Sequence, residues 1–146
     1  MPAASTPRRP GYSGTPLAKK LGIKDGHVLV LLGSPAGFVD QLEGLPEDVT
    51  IRTRATGTAD VVVSFHTSRV ALERRVPKLL DVLDVDGGLW VAWPKKASKL
   101  PTDMSEGVVR DVFLPLGLVD NKVAALDDVW SGLRVVWRTE RRAARR

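Results

Sequence analysis

From residue 27 onward the chain alternates short apolar runs with longer stretches whose apolar residues recur at helical spacing. His27 to Leu32 is a nearly continuous apolar run closed by Gly33, the pattern of a strand buried on both faces. Val49 to Arg54 alternates, with Val49 and Ile51 against Thr50 and Arg52, and suits a strand nearer an edge. Ala59 to Phe65, centred on Val61-Val62-Val63, predicts a second buried strand, and Leu89 to Trp93 a third.

Between these runs lie the helical patterns. Thr15-Pro16 reads as an N-cap followed by proline at the first helical position, opening a short helix with Leu17 and Leu21 on its apolar side. Lys24-Asp25-Gly26 ends it in a turn. Ser34-Pro35-Ala36-Gly37 turns the chain, and Phe38 to Leu42 predicts a short helix. Ser68 caps a helix carrying Val70, Leu72, Val76, Leu79, Leu80 and Leu83. Pro77 lies inside that pattern, so a kink or two helical pieces are expected. Asp86-Gly87-Gly88 is expected to stop the segment. Thr102-Asp103 opens a further helix through Val108, Val109, Val112, Phe113 and Leu116, with Gly117 past its end. Leu118 to Leu126 and Leu133 to Trp137 read as two strands joined by Asp127 to Gly132, a loop short enough for a hairpin.

Strands alternating with helices imply right-handed crossovers. The expected fold is an α/β open three-layer sandwich, a mostly parallel sheet closed by a C-terminal antiparallel hairpin. Its expected division is a flexible arm over residues 1–14, one domain over 15–138 and a basic tail over 139–146.

A chain of 146 residues with 43% hydrophobic and 27% charged residues can build one core without staples. It has no cysteine, which removes disulfides and thiol catalysis. Its two histidines, His27 and His66, are too few for an ordinary zinc site, so no metal is expected. Met1 to Gly14 lacks the apolar stretch of a secretory signal, and the longest apolar run, Val28 to Leu32, is too short for a bilayer. A soluble, cytoplasmic protein without membrane contact is expected.

The net charge of +5 is concentrated at the two ends. Arg8, Arg9, Lys19, Lys20 and Lys24 stand at the start, and Arg138, Arg141, Arg142, Arg145 and Arg146 at the end, with Glu140 the lone acid among them. Without these the body holds twelve basic and sixteen acidic residues. Basic ends can hold nucleic acid through its phosphates, with Arg141, Arg142, Arg145 and Arg146 as candidate contacts. They equally serve solubility.

The order of elements ending in a hairpin resembles a shortened class I methyltransferase-like Rossmann fold. In that family the last strand inserts antiparallel beside its neighbours. Between Arg54 and Ala59 there is no room for the helix, strand and helix of the full fold. Three segments also resemble a family of small bacterial proteins of unknown function: Ser13-Gly14-Thr15-Pro16-Leu17-Ala18-Lys19-Lys20-Leu21-Gly22-Ile23, then Gly87-Gly88-Leu89-Trp90-Val91-Ala92-Trp93-Pro94-Lys95-Lys96, then Trp130-Ser131-Gly132-Leu133. That second resemblance implies no activity.

The methyltransferase resemblance implies an acid and a glycine cluster after the first strand, and a second acid after the second strand for the ribose hydroxyls. Here those stretches read Leu31-Leu32-Gly33-Ser34-Pro35-Ala36-Gly37 and Ile51-Arg52-Thr53-Arg54, with no acid in either. The missing carboxylate would have to come from Asp40 or Asp60. No cofactor is expected on this reading.

In open α/β sheets ligands sit beyond the carboxyl ends of the strands. Gly33, Ser34 and Gly37 would offer backbone amides there, and Lys95 and Lys96 cationic donors, with Arg52 or Arg54 beside them. Together with His66 they are the candidate site for an anion: a phosphate, nucleotide or carboxylate. His66 could act as a general base if Asp103 or Glu106 approached it. Ser34, Thr67 and Ser68 are conceivable nucleophiles, but no nucleophile-elbow pattern surrounds them. Trp90 and Trp93 point to opposite sheet faces, and Trp130 is the better candidate for a partly exposed ring.

The expected function is therefore a non-catalytic domain that binds an anionic small molecule or a macromolecular partner. The alternatives are a minimal S-adenosylmethionine-dependent methyltransferase with a divergent cofactor site, or a nucleic-acid-associated protein working through basic tails.

Overall fold

The computed structural model describes residues 15–146. The arm expected over residues 1–14 lies outside them. Among the described residues one six-stranded sheet forms, made of β1 (Val28–Leu32), β2 (Thr50–Arg52), β3 (Ala59–Phe65), β4 (Leu83–Pro94), β5 (Leu118–Ala125) and β6 (Trp130–Trp137). The helices are α1 (Leu17–Lys20), α2 (Arg69–Val82), α3 (Glu106–Phe113) and α4 (Thr139–Arg145).

The strand order is β2-β1-β3-β4-β6-β5. The first four strands run parallel. β6 inserts between β4 and β5 and is antiparallel to both. This is an α/β, three-layer, shortened methyltransferase-like Rossmann fold. Chain direction explains the order. The β3–α2–β4 and β4–α3–β5 connections are crossovers of the kind that returns a strand parallel. The four-residue link from β5 to β6 permits only a reversal.

Alternation along the strands divides the core in two. Val30, Leu32, Val62, Leu89, Val91 and Trp93 meet α2 and α3 on one face. Leu29, Leu31, Val61, Val63, Phe65 and Trp90 meet α1 and the segment around Phe38 on the other. Leu72, Val76, Leu79 and Val82 form the buried stripe of α2, at the spacing that puts them on one side of a helix.

Local chemistry sets most boundaries. Ser68 Oγ accepts from Ala71 N at 3.3 Å and opens α2, and Ser105 Oγ accepts from Val108 N at 3.2 Å and opens α3. The second cap differs from the expected start at Thr102-Asp103. Both of those residues are committed elsewhere: Thr102 Oγ1 donates to Thr67 O at 2.7 Å, and Asp103 Oδ1 accepts from Arg69 N at 2.8 Å.

Three other expectations change. α2 runs unbroken through Pro77. Its buried stripe compensates for the one missing hydrogen bond. Phe38 to Leu42 forms only a single 3-10 turn, Val39–Gln41. Asp86-Gly87-Gly88 does not stop the chain but lies within β4. Gly87 is needed there because a Cβ would stand 2.6 Å from the carbonyl oxygen of Asp60, and the Arg134 guanidinium lies over Gly88.

No helix among the described residues is long and apolar enough to cross a membrane.

Candidate functional site

Parallel strands β1, β3 and β4 bring their carboxyl ends to one edge of the sheet, and the loops that follow them meet there. After β1 the chain turns through Gly33 (φ +69°) and Gly37 (φ +81°), a backbone conformation that suits glycine. At Gly33 there is a second reason: a Cβ would stand 3.2 Å from the carbonyl oxygen of Phe65. The turn is thus held tightly against the end of β3. Gly33 and Gly37 are exposed and Ser34 is half-buried.

Beneath this turn lies an aromatic floor. The Phe38 and Phe65 rings meet edge to face at 4.9 Å, and Phe65 meets Trp130 in the same way at 5.2 Å. In the segment after β1, Gln41 Oε1 is buried without a hydrogen-bond partner. Such atoms are uncommon in folded proteins.

His66 follows β3 directly and remains in the ladder, its N–H donating to Ala92 O at 2.9 Å. Its ring Nε2 lies 2.6 Å from Ser64 Oγ, and both side chains are buried. Ser64 and His66 are two apart on a strand and so share the face that α2 covers. Burial, and then the positive charge of Arg75, lowers the His66 pKa to about 4. The imidazole is therefore neutral at physiological pH, and a proton acceptor.

The acids expected near His66 are engaged elsewhere. Asp103 caps the start of α2, and Glu106 pairs with Arg110. Ser68 is the α2 cap, and Thr67 contributes its carbonyl to Thr102. Asp60 lies at the opposite edge, where Oδ2 accepts from Val28 N at 2.8 Å. Asp40 is exposed within the 3-10 turn after β1. No carboxylate stands between Arg52 and Thr58, and Arg52 donates to Thr56 O at 3.3 Å.

The lysines do not converge on the glycine turn. Lys95 Nζ donates to Asp127 O at 2.7 Å, and Lys95 N donates to Val129 O at 2.7 Å. Lys95 therefore fastens β4 to the hairpin loop. Asp127 Oδ1 orders that loop by accepting from Val129 N at 2.8 Å and Trp130 N at 2.7 Å. Lys96 is exposed at the start of the 3-10 turn Lys96–Ser98. At this edge Gly33, Ser34 and Gly37 stand with Phe38, Gln41, Phe65 and Trp130 on the α1 side of the sheet, and His66 with Ser64 on the α2 side. Ser64 had a signal in sequence, its place two residues before His66 on one strand. Phe38 and Gln41 follow the glycine turn in the chain, Trp130 stood out as a partly exposed ring, and only the contacts of Phe65 with Phe38 and Trp130 arise across strands.

The basic residues of the C-terminal segment take mostly structural positions. Arg142 Nε donates to Trp137 O at 2.9 Å, the Arg145 guanidinium lies 4.2 Å from the Trp137 ring centre, and Arg146 pairs with Asp86. These three hold α4 to the sheet. Arg138 and Arg141 line a shallow cleft with Leu114, Pro115, Gly117 and Glu140.

No protein-family model matches the chain, and no curated protein matches it in sequence. Solved structures do match its fold. A ribosomal protein L11 methylase from Lactobacillus delbrueckii subsp. bulgaricus superposes with a TM-score of 0.54 at 12% identity, over 84% of this chain and 75% of that one. A SAM-dependent methyltransferase from Aquifex aeolicus gives 0.57 at 14%, over 82% and 86%. Mitomycin 7-O-methyltransferase gives 0.57 at 11%, over 84% and 53%. The expectation of a non-catalytic domain is corrected by these neighbours, which are named as methylating enzymes; the likeness itself is one of fold. The chain has the fold of the class I methyltransferases, with the segment between its second and third strands reduced to a turn.

Proposed function

We propose that this chain is a small S-adenosylmethionine-dependent methyltransferase whose cofactor site diverges from the family pattern. The observation that carries the reading is the sheet itself: four parallel strands, then β6 antiparallel between β4 and β5, on a fold shared with methyltransferases. Fold alone does not specify activity, so the residues at the carboxyl edge decide how the reading is framed.

Those residues fit an adenosyl cofactor in a modified form. The turn Gly33–Gly37 leaves backbone exposed for close approach, and Phe38, Phe65 and Trp130 supply an apolar base beside it. Gln41 Oε1 is a buried acceptor awaiting a donor, a role that a ribose hydroxyl or an amine satisfies. It would replace the absent carboxylate after β2, and exposed Asp40 stands in the same segment. When bound, the cofactor supplies the electrophilic methyl group.

His66 provides what the acceptor needs. In the tautomer that places the proton on Nε2, Nε2–H donates to Ser64 Oγ and leaves Nδ1 free to take a proton. The low pKa keeps that nitrogen unprotonated without any acidic partner.

The test is a thermal shift and calorimetric titration with S-adenosylmethionine and S-adenosylhomocysteine, beside common nucleotides. Ligand at about a hundred times its dissociation constant adds about 2.7 kcal/mol. For a chain of this length the melting temperature rises by about 5–10 °C. Gly33→Val abolishes the shift. Transfer of labelled methyl to a panel of small molecules and proteins then follows. No response to either methyl-cycle compound, with a response to nucleotides, overturns the reading.

A further inference from the structure

A second site lies away from the carboxyl edge. On the face covered by α1, Lys122 of β5 and Arg134 of β6 are directly opposed cross-strand residues. Like charges in that position repel. Among the described residues no carboxylate pairs with either of them. Asp120, two residues from Lys122, is turned to Arg110 at 3.1 Å. Lys122 Nζ donates to the Lys20 carbonyl at 3.1 Å, which ties the pair to α1 and its lysines. Arg134 lies flat across Gly88, half-buried, and has no carboxylate partner among the described residues. Burial, and then the charge of Arg142, lowers its pKa.

Arg142 joins this pair to α4, where Arg138 and Arg141 line the cleft beside Gly117. Arg134 and Arg138 stand four positions apart, about 13 Å along extended chain. That length spans about two to three phosphates of one nucleic-acid strand. Glu140 is the acid lining the cleft, and Asp86 is paired with Arg146.

We propose that Lys122, Arg134, Arg138 and Arg141 form a track that binds the phosphate backbone of a nucleic acid. The anion supplies the counter-charge that the Lys122–Arg134 pair lacks. A membrane surface fits poorly, because the apolar residues of α4 are alanines alone and it has no stripe to insert. The track does not depend on the carboxyl-edge site.

Fluorescence anisotropy of the full chain with labelled single-stranded RNA and duplex DNA of about twenty nucleotides, across a salt series, tests this. Four contacts give a log–log salt slope of about −3 to −4. Lys122→Gln with Arg134→Gln weakens binding about tenfold and lowers the slope by about 1–2. Arg138→Gln with Arg141→Gln does the same and alters only exposed side chains, so folding does not confound it. Arg74→Gln with Lys78→Gln on the exposed side of α2 changes binding less than about twofold. Equal losses from the α2 pair, no binding at low salt, or binding only to phosphatidylserine vesicles would each overturn the proposal.

Discussion

The indole Nε1 of Trp90 donates to the carbonyl oxygen of Leu21 at 3.1 Å, across sixty-nine residues of chain and inside the core. The bond fastens the end of α1 to the centre of β4. Gly132 of β6 lies against the same ring, where a Cβ would stand 3.1 Å from Trp90 Cε3. The segments around Leu21, Trp90 and Gly132 thus converge on one tryptophan. These residues are explained by packing before any chemistry is invoked.

Trp90→Phe removes the donor and leaves Leu21 O unpaired in a fully buried place. A loss of about 1–3 kcal/mol in urea unfolding is expected. Gly132→Ala overpacks the same contact and costs about 1–3 kcal/mol. An unchanged unfolding midpoint in both variants would show that the contact contributes nothing.

His66 couples stability to pH. Its pKa is lowered from 6.5 to about 4 in the folded chain, so between those values the unfolded chain binds more protons. Its contribution is fully present above about pH 6.5 and is lost as pH falls toward 4. The effect is on the order of 2 kcal/mol. His66→Gln should flatten the stability profile across that window, measured by denaturant unfolding at a series of pH values.

Asp127 holds the hairpin loop through two backbone N–H groups while its own carbonyl receives Lys95. Asp127→Ala releases both donors and should cost about 1–3 kcal/mol. Amide hydrogen exchange at Val129 and Trp130 should rise, while that of β3 stays protected. Protection unchanged at Trp130 would remove Asp127 from this role.

Pro77 sits exposed inside an unbroken helix. A proline there forfeits a bond to the carbonyl of Glu73 and crowds it. Pro77→Ala should raise stability by about 1–3 kcal/mol, read as a higher melting temperature. A decrease would mean that proline's restriction of the unfolded chain matters more than the helix bond.

Much of the fold was legible in the residues. Ala59–Phe65 reads as a strand and is one, with those bounds, and the apolar run before Gly33 becomes β1. The missing middle of the sheet followed from the few residues between Arg54 and Ala59. The site was less legible. His66 and the glycine turn stood out, but Lys95 looked like an anion donor until Asp127 claimed it. The arginines of the tail read as one basic group, yet Arg142, Arg145 and Arg146 anchor α4, and Arg134 emerges in their place.

What the sequence determined by itself is the class of fold, because hydrophobic period and turn residues act locally and their signals survive without partners. It also determined the absence of thiol chemistry and the basic ends. Only the tertiary structure decided which charges are spent and which remain. A lysine six residues past Leu89 in the carboxyl loop region, or an arginine on β6, has the same composition whether a carbonyl receives it or not. Pairing depends on strand register and on atoms far apart in the chain, and Lys122 meets Arg134 only because β6 turns back between β4 and β5.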